Sequence, residues 1–431
     1  MPDSKPRLLL LVPTTSYRLD DFRAAADRLG VPLVVGSDLC HRVEELFLER
    51  EDQVSLDYRR PDRAAEQIAE VARTKAIRGV VPASDATAVI AALALERLGL
   101  PHNPPEAARR AANKHAQRET LRAAGLPVPP FRPFDAAGDP AAAAREVAYP
   151  CVLKPLVLSA SRGVIRADDP ESFVAAWRRI ARLLHDSRAE RRPREGEASS
   201  GILVEGFVPG AEVAVEGLLR GGALEVLAIF DKPDPLDGPF FEETIYVTPS
   251  RHAPALQAEI ERIVAAGARA LGLAEGPVHA ELRLAPPVSA GGPAGPVVLE
   301  IAARSIGGLC SRTLRFGAGL TLEEVLVAHA MGLPLASVRR EARASGVMML
   351  PIPRRGILHA VGGLDAARAV PGVEDVVVTA PTGREVVPLP EGDSYLGFLF
   401  ARGETPAEVE AALREGHRRL TLDIRAALPT L

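Results

Sequence analysis

The chain is poor in cysteine, carries no surplus of either charge and has no long apolar run. Its three cysteines, Cys40, Cys151 and Cys310, form no CxxC pair and leave an odd count. Their apolar neighbours predict reduced, buried thiols in a cytoplasmic protein. Basic and acidic residues number 52 and 56, a net charge of −4. Nucleic acid and anionic membrane therefore have no support as main partners, although a local pocket can still be basic enough for a small anion. No segment approaches a membrane-spanning length. The apolar run in "MPDSKPRLLLLVP" is too short for a signal peptide and reads as a first strand. What is present is the composition of a soluble globular protein, 47% hydrophobic and 25% charged. A length of 431 residues predicts two or three domains.

The first hundred residues alternate short apolar runs with helical patterns. "RLLLLVP" (7–13), "VPLVVGSD" (31–38) and "IRGVVPASD" (77–85) read as buried strands. Helical patterns at Asp20–Leu29, Arg63–Lys75 and Ala86–Leu98 separate or follow them. Such alternation predicts a βαβ sheet domain, with strand ends at Pro13-Thr14-Thr15 and Ser84-Asp85 opening onto one cleft. "ARRAANKHAQRETLRAAGLPVPPF" (108–131) reads as one helix stopped by Gly125 and a proline-rich exit. Tyr149–Lys154 and Gly163–Arg166 read as a strand pair, Pro170–His185 as a helix, and the polar stretch 185–201 as a surface loop. Three strands follow, with turns at Pro209-Gly210 and Gly221-Gly222, then a helix over Pro254–Leu271. "VHAELRL" and "VVLEIAARS" read as a long hairpin joined by the flexible "APPVSAGGPAG". Beyond a helix at Leu322–Met331 and a linker from Pro334, short strands precede a final helix at Pro406–Leu420. There is no internal repeat.

Chemistry gathers around Lys154. A lysine at a strand end offers a compact positive charge for phosphate oxygens, and the small loop Ser159–Gly163, with Ser161 and Arg162, brings backbone N–H groups near them. In "ILVEGFVPGAE" a strand reaching Glu205, then exposed backbone at Gly206, Phe207 and Val208, suits an adenine hinge. Glu212 falls where a carboxylate accepts from ribose hydroxyls. Singly these are ordinary residues: a lysine before proline is usually on the surface, and such glutamates are usually solvated. The hairpin changes the balance. Glu281 and Glu300 sit on adjacent strands, and two facing carboxylates are unfavourable unless cations lie between them. Mg²⁺ binds through one or two carboxylates plus substrate phosphates. Arg304, just past Glu300, can clamp phosphate or carboxylate. His252, His279 and His329 have no metal-ligand spacing and are expected to pack or face solvent.

In this order the pieces resemble the ATP-grasp superfamily. "NKHAQRETLRAAGLPVPPF" resembles the strip that carries the family's first nucleotide lysine, which the resemblance assigns to Lys114. "YPCVLKP" is similar to the second lysine strand, "ILVEGFVPGAEVAVEG" to the hinge and ribose carboxylate, and "HAELRL…VLEIAARSIGG" to the metal hairpin. The chain departs from the biotin carboxylase and purine-ligase branches in two places. Its "LVLSASRG" has only Gly163 where they carry a glycine-rich loop, and Ala302 stands where many relatives have Asn. "SASRGV" and "EIAARSIGG" resemble the L-amino-acid ligases instead, as does "DKPDPLDGPFFEETIYVTPS" (231–250). There Glu243 aligns with a substrate-amine carboxylate and Tyr246 with its polar neighbour. An ordinary acidic loop is the plainer alternative.

The resemblance implies an α/β fold in three parts. These are a pre-ATP-grasp βαβ domain over 1–112, an ATP-grasp domain over 113–335 with a lid over about 128–200, and a C-terminal α+β domain over 336–431. It implies an ATP-dependent ligase joining a carboxylate to an amine through an acyl phosphate, with a dipeptide or related amide as product. Its cofactors are ATP and Mg²⁺, with Mn²⁺ as a substitute. Glu281 and Glu300 would hold metal, while Arg304, Gly307 and Gly308 would line the reacting end. Partners would be an amino-acid carboxylate and an amine, with a homodimer through the N-terminal domain as a family-level expectation. The alternatives are a biotin-carboxylase-like or purine-pathway enzyme and a nucleotide-binding module without turnover.

Overall fold

A computed structural model describes residues 5–13, 16–38, 52–156, 158–190, 201–287, 294–317, 319–335 and 337–426. Cys40, the Thr14-Thr15 strand exit, most of the 185–201 loop and the middle of the 285–295 connection lie outside these residues. Strands β1 (Arg7–Leu11), β2 (Leu33–Ser37), β3 (Gln53–Ser55) and β4 (Ile77–Pro82) form a parallel sheet in the order β3-β2-β1-β4. Leu8 to Leu11 are fully buried, because helices cover both faces of a parallel sheet. Gly79 in β4 lets a later helix, Leu322–Ala330, approach closely, since a Cβ there would lie 2.5 Å from the Ala330 carbonyl oxygen. Ser84 caps the helix Asp85–Leu98 through a capping box with Thr87.

A second sheet is four-stranded, in the order β5-β8-β6-β7: β5 is Phe131–Asp135, β6 Cys151–Pro155, β7 Ile165–Ala167 and β8 Gly201–Gly206. The helix Pro170–Glu190 packs on it, with Phe173, Trp177 and Ile180 in a core separate from the rest. Three strands are expected between 202 and 230, and the chain distributes them between two sheets. Strand β8 completes this smaller sheet, beyond the residue 200 expected for the lid's end. Strands β9 (Ala211–Arg220) and β10 (Ala223–Lys232) enter an eight-stranded sheet.

The order in that sheet is β13-β12-β9-β10-β11-β14-β18-β16, antiparallel throughout. Here β11 is Ile245–Thr248, β12 Gly276–Ala285, β13 Gly295–Ala302, β14 Ala344–Leu350, β16 Val373–Val378 and β18 Gly397–Gly403. The sheet therefore runs unbroken from the hairpin into the C-terminal strands. A small sheet, β17-β15-β19, completes the C-terminal part, with β15 Gly356–Gly362, β17 Glu385–Val386 and β19 Thr421–Arg425. Cys151 and Cys310 are buried free thiols, as their neighbours imply.

One expected helix is two. Pro105–Ala112 and Lys114–Ala123 are separated by Asn113, whose backbone is extended (φ −115°, ψ 111°). Its side chain accepts from the Ala116 N–H at 3.0 Å, an N-cap that a helix interior cannot use. Among the described residues no helix is long and apolar enough to cross a membrane.

Candidate active site

The end of β6 presents Lys154 to a buried carboxylate. Its Nζ lies 2.6 Å from Glu205 Oε2, and Arg118 Nε lies 2.5 Å from Glu205 Oε1. Both glutamate and arginine side chains are almost fully enclosed, at 2% and 1% exposure. Burial alone would raise the Glu205 carboxyl, but Arg118 and Lys154 together pull it down to about 2. Lys114, the first residue of its helix, donates from Nζ to the Leu158 carbonyl at 2.7 Å. Lys114 thus meets the loop after β6, while Lys154 leads into that loop from the end of β6 and is paired with Glu205. In that loop Ala160 and Ser161 adopt left-handed backbone (φ 57° and 55°), and Gly163 does so at 72°. A Cβ on Gly163 would lie 2.8 Å from Pro155 Cγ, so the position needs glycine twice over.

The hinge differs from expectation. Gly206 N–H donates to the Pro130 carbonyl at 2.8 Å and Phe207 N–H to Pro150 at 3.0 Å. Those two donors are not exposed to a base edge: the end of β8 spends them on the chain segments that enter β5 and β6. Val208 is buried with Ala285 and Val297. The Phe207 ring carries the guanidinium of Arg166 at 4.2 Å and that of Arg283 at 5.6 Å.

Glu212 lies in a cluster of charges. Its Oε1 accepts from Lys232 Nζ at 2.6 Å and its Oε2 from Arg283 Nε at 2.8 Å. Lys232 also donates to Glu243 and, at 3.2 Å, to Glu281 Oε1, while its ammonium sits 4.9 Å from the Tyr246 ring centroid. The oxygens of Glu212, Glu243 and Glu281 lie within 4.8 Å of one another, close enough to enclose a cation. Lys232 supplies one: despite burial, the three carboxylates hold its ammonium well above the usual lysine range. Burial pushes Glu243 up to about 7, against the pull of Lys232. Tyr246 donates its hydroxyl to Glu243 Oε1 at 2.8 Å.

Across the hairpin, Glu281 and Glu300 are register partners, with a bulge immediately after Glu281. His279 is not solvent-facing. It is buried, its Nδ1 3.2 Å from Glu216 Oε2 and its Nε2 3.7 Å from Glu281 Oε1. Burial would lower this imidazole, but Glu216 and Glu281 raise it to about 9. The Glu281 carboxyl is held well below the usual range, because Lys232 and His279 outweigh its burial. Glu300 has no ion-pair partner among the described residues. Arg304 lies just past β13, its Nε 3.0 Å from Asp85 Oδ1 at the start of the helix Asp85–Leu98. Gly308 is left-handed (φ 63°), and a Cβ there would lie 2.9 Å from the Phe398 ring, whereas Gly307 faces open space.

Arg118, Lys232, His279 and Glu216 are the residues that sequence reasoning missed. Arg118 carried a signal: Gln117, Arg118 and Leu121 share a buried helix face.

With this geometry in place, the family matches are specific. Residues 147–313 match the ATP-grasp domain, 22–102 the ATP-grasp N-terminal domain, and 348–425 the L-amino acid ligase C-terminal domain 2. The chain belongs to the ATP-grasp superfamily. An L-amino acid ligase from Bacillus licheniformis superimposes with a TM-score of 0.77 at 25% identity, covering 98% of this chain and 99% of that one. An uncharacterized Sinorhizobium fredii protein, y4rH, is 27% identical over 93% of this chain and 79% of its own length. Carnosine synthase 1 of Gallus gallus is 32% identical over 72% of this chain, but the match spans only 34% of that longer protein. Enzymes of the ATP-grasp superfamily bind ATP and Mg²⁺. The donors here fit such an ion: Glu281 is held anionic, Glu300 is not committed to an ion pair among the described residues, and both are hard oxygen ligands.

Proposed function

We propose that this chain is a cytoplasmic ATP-dependent ligase that joins a carboxylate to an amine, both from amino acids, and releases ADP and phosphate. One observation supports the reading above the others. Glu243 and Glu281 share the Lys232 ammonium, which sets a carboxylate of the 231–250 segment beside the hairpin carboxylate. A nucleotide site thereby adjoins a group suited to an amino-acid ammonium. The names of the relatives, L-amino acid ligase and carnosine synthase, support the same substrate class.

In this reading Lys114 and Lys154 take the phosphates of ATP, with the Ser159–Gly163 loop around them. Glu243, steadied by the Tyr246 hydroxyl, accepts from the substrate ammonium. Arg304, oriented by Asp85, faces the oxygens of the reacting carboxylate. A carboxylate oxygen attacks the γ-phosphorus and ADP leaves. The amine then attacks the acyl carbon, loses its proton and expels phosphate. No protein nucleophile is needed. Mg²⁺ held by Glu281 and Glu300, or Mn²⁺ in its place, supplies neutralising charge at the phosphates. ADP and phosphate release across a panel of amino-acid pairs tests the proposal. Turnover that needs amino acids supports it, and turnover on bicarbonate alone overturns it.

A further inference from the structure

The loop after β6 is gripped from the C-terminal part of the chain. Gly163 N–H donates to the Pro390 carbonyl at 2.9 Å. Arg162 donates from Nε to the Glu391 carbonyl at 2.9 Å, and its guanidinium lies 3.8 Å from Asp393. Arg179, on the helix Pro170–Glu190, holds the Glu391 carboxylate with two nitrogens, Nη2 to Oε2 at 2.8 Å and Nε to Oε1. The same guanidinium lies 4.9 Å from the Phe240 ring, and Phe240 pairs by backbone with Ile165 in β7. Two cations of the lid therefore meet two anions and a carbonyl of segment 388–393, with a ring of the 231–250 segment against Arg179.

Ala160 and Ser161 explain what the grip is for. Consecutive non-glycine residues with positive φ (57° and 55°) persist only where surrounding contacts over-determine the backbone. Within its own strands the loop has few such contacts: Arg162 N–H bonds Ser159 and Val164 N–H bonds Ser161. Among the described residues, Lys114 holds the Leu158 carbonyl where the loop begins, and the restraints on Arg162 and Gly163 come from Pro390, Glu391 and Asp393.

We propose that Glu391 is a positioning residue. Acting through Arg179 and its own carbonyl bond to Arg162, it holds the Ser159–Gly163 loop in the shape that receives nucleotide phosphates. This rests on the nucleotide role proposed above for that loop. Pre-forming the loop removes part of the ordering cost from ATP binding, so losing Glu391 weakens ATP binding and leaves turnover at saturating ATP unchanged. Segment 388–393 thereby links the closing of the lid to the C-terminal strands, and through Phe240 to the segment carrying Glu243.

The test uses the full chain and the variants Glu391→Arg, Arg179→Glu, their combination, and the isosteric Glu391→Gln. Amide hydrogen exchange over 159–166 is read without nucleotide, and ATP affinity by titration. Both side chains of the pair are 38% exposed, so each single reversal should speed exchange and weaken ATP binding by about fivefold. Glu391→Gln should give a smaller change of the same sign, and the double reversal should restore both readouts. Exchange unchanged in the single reversals, or not restored in the double, overturns the proposal. If the wild-type chain binds no ATP, the nucleotide reading of the loop falls, whereas exchange still decides whether Glu391 holds it.

Discussion

A carboxylate enclosed as tightly as Glu205 is tolerable only when opposite charges stay beside it. Lys154 therefore answers to two anions, Glu205 on the protein side and, in the proposed reaction, a phosphate. Lys154→Ala should weaken ATP binding by about 1.5–3 kcal/mol, the range for a hydrogen bond to a charged group, read by titration. Lys154→Arg should not restore it, because a pocket closed around an ammonium does not accept a planar fork. Unchanged affinity in Lys154→Ala would make the residue a partner of Glu205 and nothing more. Glu205 also predicts a pH dependence. Its carboxyl drops from an ordinary 4.5 to about 2 on folding. The stabilisation is thus present above about 4.5 and is lost as pH falls through 2. A shift of that size is about 3 kcal/mol. Urea midpoints measured from pH 5 downward should fall more steeply for the wild type than for Glu205→Gln. The place of Lys154 at the end of a buried strand was legible, because an apolar run leads into it and a small loop follows. Lys232 was not: in "IFDK" it looks like a strand end reaching solvent, and only folding surrounds it with Glu212, Glu243 and Glu281.

At the scale of elements, the hairpin β12–β13 was readable because two strand-like runs, "VHAELRL" and "VVLEIAARS", each carry a glutamate among apolar residues and are joined by a flexible connection. Burial of the neighbours leaves those glutamates opposite each other, and the register pairs them. Glu300→Gln keeps the shape of the strand while removing the charge proposed to hold metal. It should abolish ADP formation and leave the melting temperature within a few degrees of wild type. Retained turnover would detach the hairpin from the chemistry. Two features of comparable size were not readable. The break at Asn113 depends on whether an asparagine caps or continues a helix, and local pattern alone does not separate these. The donors of Gly206 and Phe207 look exposed at a strand end, yet Pro130 and Pro150 take them from segments distant in sequence.

At the scale of the whole molecule, charge pairs fasten the N-terminal sheet region to the central part. Arg304 meets Asp85, Arg312 meets Asp21, and buried Arg18 meets Glu323 at 3.3 Å. The four-stranded sheet, with its own core, reaches the C-terminal part of the chain through Arg162 and Arg179. A body with a core of its own can move as a unit. The order of motifs was visible in the sequence, but this contact was not, because "LPEGD" carries no pattern that names its partner. Such a lid matters to the proposed reaction because an acyl phosphate survives only where water is kept out. ATP and the carboxylate substrate should therefore engage before productive attack by the amine, and products should leave only after the lid opens. ADP formation would be measured with ATP alone, with one amino acid, and with two. The rate should be lowest with ATP alone and highest with a matched pair, since the amine consumes the intermediate that otherwise holds the lid shut. Hydrolysis at the full rate without any amino acid would sink the ligase reading, because a lid that closes productively on ATP alone has water as its acceptor.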